Sequence, residues 1–268
     1  MAVPRVLVMT GYGINCDFET EFAFNLAGGR AERVHVNDLI SGAKKLGDYQ
    51  ILVFPGGFSF GDDIASGKVL AVRNKTNLGD EIGRFVDDGN LILGICNGFQ
   101  VMAKYGLLAD PSGDYRTQRV TVTYNDSNRF EDRWVYLKRE SNKCIWTEGV
   151  DEIYLPVAHG EGKFFAPEDV VSAIENNDQV GYRYSRAEFS QALGEYPLNP
   201  NGSVNDIAGI CDPSGRLFGM MPHPERFLQF TNHPRWTRIK DELRRKGKPL
   251  PDEGDGLRIF KNGVRYFQ

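Results

Sequence analysis

The sequence predicts an α/β fold: an open, mostly parallel sheet with helices on both faces, plus an antiparallel addition. Three features predict it. Short apolar runs end in glycine or turn residues, amphipathic stretches lie between several of them, and the middle of the chain changes to alternating strings. Strands that alternate with helices favour a parallel sheet covered on both faces.

Val6–Met9 is the first strand. Asp17–Leu26 reads as a helix with Phe18, Phe22, Ala23 and Leu26 on one face, stopped by Gly28-Gly29. Arg33–Val36 is the second strand, and Ile51–Phe54 the third, ended by Pro55-Gly56-Gly57. Leu78, Ile82, Phe85 and Val86 mark a helix that closes at Gly89. Leu91-Ile92-Leu93 is the fourth strand, and Phe99, Met102 and Ala103 begin the helix after it. Arg119–Tyr124 and Trp134–Lys138 alternate and are joined by the polar Asn125–Arg133, which suggests the antiparallel addition. Val180–Tyr184, Ile207–Cys211 and Leu217–Met221 are further strands, the last two a hairpin through Asp212-Pro213-Ser214-Gly215. Glu188–Val204 reads as a long structured loop, a feature that is often functional. Trp236, Ile239 and Leu243 stripe one tail helix, and Leu257, Phe260 and Val264 stripe another.

Composition narrows the class. The chain has 268 residues, 41% apolar and 25% charged, with a net charge of −4. That is an ordinary globular composition, and the acidic balance argues against a nucleic-acid partner. The four cysteines are too sparse for a disulfide framework, and without a C-x-x-C pair a structural zinc site has no starting point. No metal is expected. No apolar run reaches ~18 residues, and the N-terminal one is too short for a signal segment. The expectation is a cytoplasmic protein without a membrane partner.

The most informative string is Leu91-Ile92-Leu93-Gly94-Ile95-Cys96-Asn97-Gly98-Phe99-Gln100. A buried strand runs into G-x-C-x-G and a helix starts at once, the cysteine counterpart of a nucleophile elbow. Glycines two residues either side remove side chains that would collide on so sharp a turn. The helix N-terminus favours negative charge at the thiol. Such a nucleophile, Cys96, needs a base. His223-Pro224-Glu225 follows a predicted strand, and Pro222 and Pro224 suggest an extended segment in which His223 and Glu225 share a side. Cys96 would then attack, His223 exchange protons and Glu225 orient the imidazole. An oxyanion hole would use the Asn97 N–H and an N–H of the Pro55-Gly56-Gly57-Phe58 turn, at Gly57 or Phe58. The elbow comes from the fourth strand and His-Pro-Glu from a late one. Residues 1–268 are therefore expected to form one domain.

Pro55-Gly56-Gly57, the elbow and His223-Pro224-Glu225 together resemble the triad (class I) glutamine amidotransferases, which have a flavodoxin-like sheet. Gly56-Gly57-Phe58-Ser59-Phe60-Gly61-Asp62, Ala158-His159-Gly160-Glu161-Gly162-Lys163-Phe164, Asn199-Pro200-Asn201-Gly202-Ser203 and Gly219-Met220-Met221-Pro222-His223-Pro224-Glu225-Arg226 are similar to strings of the glutaminase subunits of phosphoribosylformylglycinamidine synthases. The resemblance runs from about Val6 to about Phe260. It implies that Cys96 forms a glutamyl thioester from glutamine and releases ammonia for purine synthesis. It also implies two partners, a large synthetase subunit and a small accessory subunit. ATP and magnesium are expected on the synthetase, and no cofactor in this chain. Gln100, Phe58, His159 and Glu161 are candidates for contact with glutamine. Cys16 is read as structural or crevice-lining. The motifs leave open a glutaminase that serves another synthetase, or a cysteine hydrolase of related fold.

Overall fold

The computed structural model describes residues 3–108 and 114–268. Its strands are β1 (Arg5–Thr10), β2 (Arg30–His35), β3 (Ile51–Phe54), β4 (Leu91–Ile95), β5 (Thr121–Thr123), β6 (Glu131–Arg139), β7 (Glu152–His159), β8 (Lys163–Phe165), β9 (Val180–Ser185), β10 (Ile207–Cys211) and β11 (Leu217–Met220). Its helices are α1 (Asp17–Leu26), α2 (Val36–Ile40), α3 (Lys68–Asp87), α4 (Asn97–Tyr105), α5 (Glu168–Asn176), α6 (Trp236–Arg245) and α7 (Leu257–Arg265).

One nine-stranded sheet has the order β2-β1-β3-β4-β11-β10-β9-β6-β7. From β2 to β11 every neighbouring pair is parallel. Every residue of β3 and β4 is buried, which is why both read as unbroken apolar runs. The chain leaves β1 for β2 in one direction and later places β3 and β4 in the other. Right-handed crossovers in opposite directions put helices on opposite faces. Accordingly α1 packs with α7, and α3 packs with α4. The open, mostly parallel sheet expected from the sequence is borne out.

The antiparallel addition exists but is wired differently from the expectation. β10 and β11 form the expected hairpin, and β9, β6 and β7 extend it antiparallel. The 119–124 and 134–138 strings do not pair with each other: β5 pairs with β8 in a separate two-stranded sheet, while β6 joins the main one. β7 escapes the sequence reading because Pro156 interrupts its pattern. It is tolerated because β7 is the sheet edge, where a missing N–H leaves no ladder bond broken.

Two apolar stripes were placed too deep by periodicity. On α1, Phe18, Phe22 and Leu26 face outward, while Thr20, Ala23 and Phe24 are buried. The Phe24 ring meets Phe260 edge-on at 5.0 Å. Thr20 can be buried because its hydroxyl donates to the Cys16 carbonyl at 2.6 Å. Phe18 lies instead under the Arg33 guanidinium, 3.4 Å from the ring centroid. α6 forms as expected, yet none of its residues is buried, whereas Leu257, Phe260 and Val264 of α7 are core. The second strand begins earlier than expected, and Val36 opens α2.

Candidate active site

The carboxyl ends of β3, β4 and β11 lie side by side, and each delivers one part of the site. At the end of β4, Cys96 has φ 50° and ψ −105°, a conformation that non-glycine residues rarely adopt. Its N–H is held by the Met220 carbonyl of β11 at 2.8 Å. The glycines are there for space. A Cβ on Gly98 would overlap the Phe54 carbonyl of β3, and one on Gly94 would come within 2.8 Å of the Gly98 backbone. Cys96 is 5% exposed, and its thiol lies 3.6 Å from the Ala158 carbonyl of β7.

Just past β11, His223 Nδ1 and Glu225 Oε1 are 2.5 Å apart, both side chains fully buried. The juxtaposition is as expected from the sequence, but its cause is different. Pro224–Arg226 is a single 3₁₀ turn, not an extended segment. Proline sets φ for the first position of such a turn, and the tight turn brings residue 225 back beside 223. The His223 N–H donates to the Pro156 carbonyl at 2.8 Å, so the edge strand β7 fixes the imidazole's base. Burial alone would lower the His223 pKa. The charges of Glu225 and Cys96 outweigh it and hold the imidazole well above its ordinary value. The remaining ring nitrogen, Nε2, has no hydrogen-bond partner among the described residues.

The glycine turn after β3 sits opposite. Gly57 has φ +150°, and the Phe58 N–H donates to the Gly13 carbonyl at 2.8 Å. Phe58 is thereby removed as an oxyanion donor, which leaves the Gly57 N–H. The turn is tied to the elbow by Asn97, whose Oδ1 accepts from the Ser59 N–H at 3.2 Å. The Asn97 Nδ2 donates to Gln100 Oε1 at 2.9 Å. The main-chain N–H of Asn97 opens α4, where no intrahelical acceptor exists for it.

A cavity of about 370 Å³ is lined by Gly57, Phe58, Cys96, Gln100, His159 and Glu161, among others. The structure thus brings every candidate contact residue to one cleft, with His223 and Glu225 buried behind it. Not all of them present free polar groups. The Glu161 carboxylate accepts from the Ser66 N–H at 3.2 Å and lies 3.9 Å from Lys104 Nζ. Lys104 is itself buried, which lowers its pKa to about 8 against the pull of Glu161 and Asp62. His159 Nδ1 is 3.1 Å from Asn125 Oδ1, and Nε2 is 3.5 Å from Asn201 Nδ2. Burial, with His223 nearby, pushes His159 down to about 3, so it stays neutral.

Sequence reasoning missed the supports: Lys104, Asn125, Asn201 and the Ala158 carbonyl. They act through buried hydrogen bonds to distant segments, which leave no local pattern. It also missed that Cys16 reaches the His–Glu pair. Cys16 is buried, and Arg226 Nη2 donates to its sulfur at 3.3 Å. A cysteine at a strained elbow, a buried imidazole–carboxylate pair and N–H groups across a cleft can together carry acyl transfer from an amide.

Comparison with known proteins supplies the class. Over residues 3–267 the chain matches the CobB/CobQ-like glutamine amidotransferase domain family, and it belongs to that family. It is a glutamine amidotransferase. Within the class, it is 49% identical over 266 residues to a phosphoribosylformylglycinamidine synthase subunit PurQ from Methanococcus maripaludis, a match covering 99% of this chain and 98% of that one. It is 44% identical over 271 residues to the PurQ subunit of Dehalococcoides mccartyi, with 99% and 98% covered. Among solved structures it is similar to PurLQS from Thermotoga maritima, with a TM-score of 0.73, 28% identity and both chains covered in full.

Proposed function

We infer that this chain is the glutaminase subunit of a phosphoribosylformylglycinamidine synthase. The observation that carries the reading is Cys96, held at a strained strand-to-helix turn in a chain whose full length follows the PurQ subunits. In the reaction, Cys96 Sγ attacks the carboxamide carbon of glutamine. The oxyanion is received by the N–H groups of Gly57 and Asn97, where one such donor is typically worth roughly 3–4 kcal/mol. His223 gives a proton to the departing nitrogen, and ammonia leaves behind a glutamyl thioester. Water then attacks that carbonyl while His223 takes its proton, and glutamate is released with the thiol restored. Glu225 holds the imidazole in one tautomer throughout. Gln100, Phe58, His159 and Glu161 shape the cleft that receives glutamine.

The ammonia is used by the partner subunits, a large synthetase with ATP and magnesium and a small accessory subunit. Residues 1–268 act as one domain, in the cytoplasm. The exposed side chains of Phe58, Ile64, Tyr124 and Phe130 lie on or beside the segments that form the mouth of the cleft and support a partner docking over it. None of the described helices is long and apolar enough to cross a membrane.

Reconstitution tests the reading. Large and small subunits without this chain should make formylglycinamidine ribonucleotide from ammonia but not from glutamine. Adding the chain should confer glutamine-dependent synthesis, and its glutaminase rate should rise in the mixture. Product formed from some other acceptor nucleotide instead would assign the chain to a different synthetase.

A further inference from the structure

Cys16 has no part in the reaction just described, yet it reaches the same buried pair. Its Sγ, a ring nitrogen of His223 and a carboxylate oxygen of Glu225 all lie within 4.8 Å of one another, and all three residues are buried. Thiolate, imidazole and carboxylate are the donor types that hold zinc. Zinc–ligand bonds of roughly 2.0–2.3 Å set neighbouring donors about 3.3–3.7 Å apart in a tetrahedral site. The outer distances would close by about 1 Å and the His223 Nδ1–Glu225 Oε1 pair, now 2.5 Å apart, would open by about 1 Å to take the ion.

Two further observations point the same way. Glu225 Oε2 is buried without a hydrogen-bond partner among the described residues, so the carboxylate has unused coordinating capacity. A second cavity, about 610 Å³ in volume, is lined by Glu225, Arg226, Phe18, Phe22 and Leu228. It shares no lining residue with the glutamine cleft, and because the Glu225 side chain is fully buried an ion would reach it from this side only when Arg226 turns outward. Charge also fits: a thiolate and a carboxylate balance a divalent cation, with the imidazole neutral. Arg226 occupies the thiol side at 3.3 Å and has to turn outward, which its partly exposed side chain allows.

We propose that Cys16, His223 and Glu225 form an inhibitory binding site for a thiophilic divalent cation, with Zn²⁺ the best match. On binding, the Cys16 thiol and the charged His223 imidazole each give a proton to solvent, and the sulfur and the freed ring nitrogen become ligands. The hydrogen bond between His223 and Glu225 is exchanged for two bonds to the metal. The imidazole is then held on the ion and no longer relays protons. This consequence rests on the proposed role of His223; the binding itself does not.

The test is a Zn²⁺ titration of the full chain against a chromophoric chelator, for wild type, Cys96→Ala, Cys16→Ala and Cys16→Ser, with melting curves to show that each is folded. Wild type and Cys96→Ala should bind one ion equally well. Both Cys16 variants should bind more weakly by at least roughly tenfold, since loss of a mere supporting group already costs about 10–100-fold. The zinc concentration that halves glutaminase activity should rise in step for the Cys16 variants. Absence of stoichiometric binding in wild type overturns the site, and so does binding that is lost in Cys96→Ala but kept in the Cys16 variants. Binding without any glutaminase activity in wild type would count against the proposed function and leave the metal site standing.

Discussion

Cys96→Ala is expected to abolish glutamine-dependent synthesis by the reconstituted complex while synthesis from free ammonia continues at the wild-type rate. The size of the loss follows from the chemistry. No other described thiol lies in the cleft, so the covalent route disappears, and loss of a nucleophile in a comparable hydrolase costs about a million-fold in turnover. The fold should be little affected. Alanine inherits the φ of 50° with the same backbone strain, and the thiol's hydrogen bond is one weak contact to Ala158. The measurement is product formation from each nitrogen donor in the same preparation, with melting curves alongside. Retained glutamine-dependent turnover would remove Cys96 from the mechanism.

His223→Ala should come next in size and close to Cys96→Ala, because nucleophile and base work as a unit. The double variant should then be no slower than either single one. Glu225→Gln should cost less, roughly 10⁴-fold, since the carboxylate supports the base and forms no bond to substrate. Stability gives an independent readout for His223. Its folded pKa is raised above the unfolded value near ~6.5. The charged imidazole therefore contributes stability that is fully present below about pH 6.5 and is lost as pH rises through the folded value. Urea unfolding at several pH values should show wild type losing stability relative to His223→Ala along that rise. Equal pH slopes for the two proteins would mean that Glu225 and Cys96 do not act on the imidazole as described.

The chemistry-bearing strings were legible because each is local. Gly94 and Gly98 announce a close approach, and the structure shows what they approach: the Phe54 carbonyl and the turns of α4 itself. His223 and Glu225 are near in sequence, so almost any tight geometry pairs them, and the expectation succeeded although the segment is a 3₁₀ turn. The parallel half of the sheet was legible for a related reason. Its strands are buried on both faces and read as continuous apolar runs.

What stayed hidden depends on long-range choices. α1 carries two apolar stripes, and periodicity alone does not say which one meets the sheet; packing against Phe260 decides for Phe24 and leaves Phe18 and Phe22 outside. β5 could not be paired from pattern, because its partner β8 is only three residues long and lies forty residues on. The approach of Cys16 to His223 depends on the loop after β1 meeting the segment after β11, and no spacing in the chain encodes that meeting.

The central claim is that Cys96 is the nucleophile of a glutamine site. Incubation of the chain, in complex with its partner subunits, with a glutamine-derived diazoketone tests it most directly. Peptide mapping should find one label per chain on Cys96, slowed by excess glutamine and absent from Cys96→Ala. Labelling at Cys16, or labelling that glutamine does not slow, would contradict the claim.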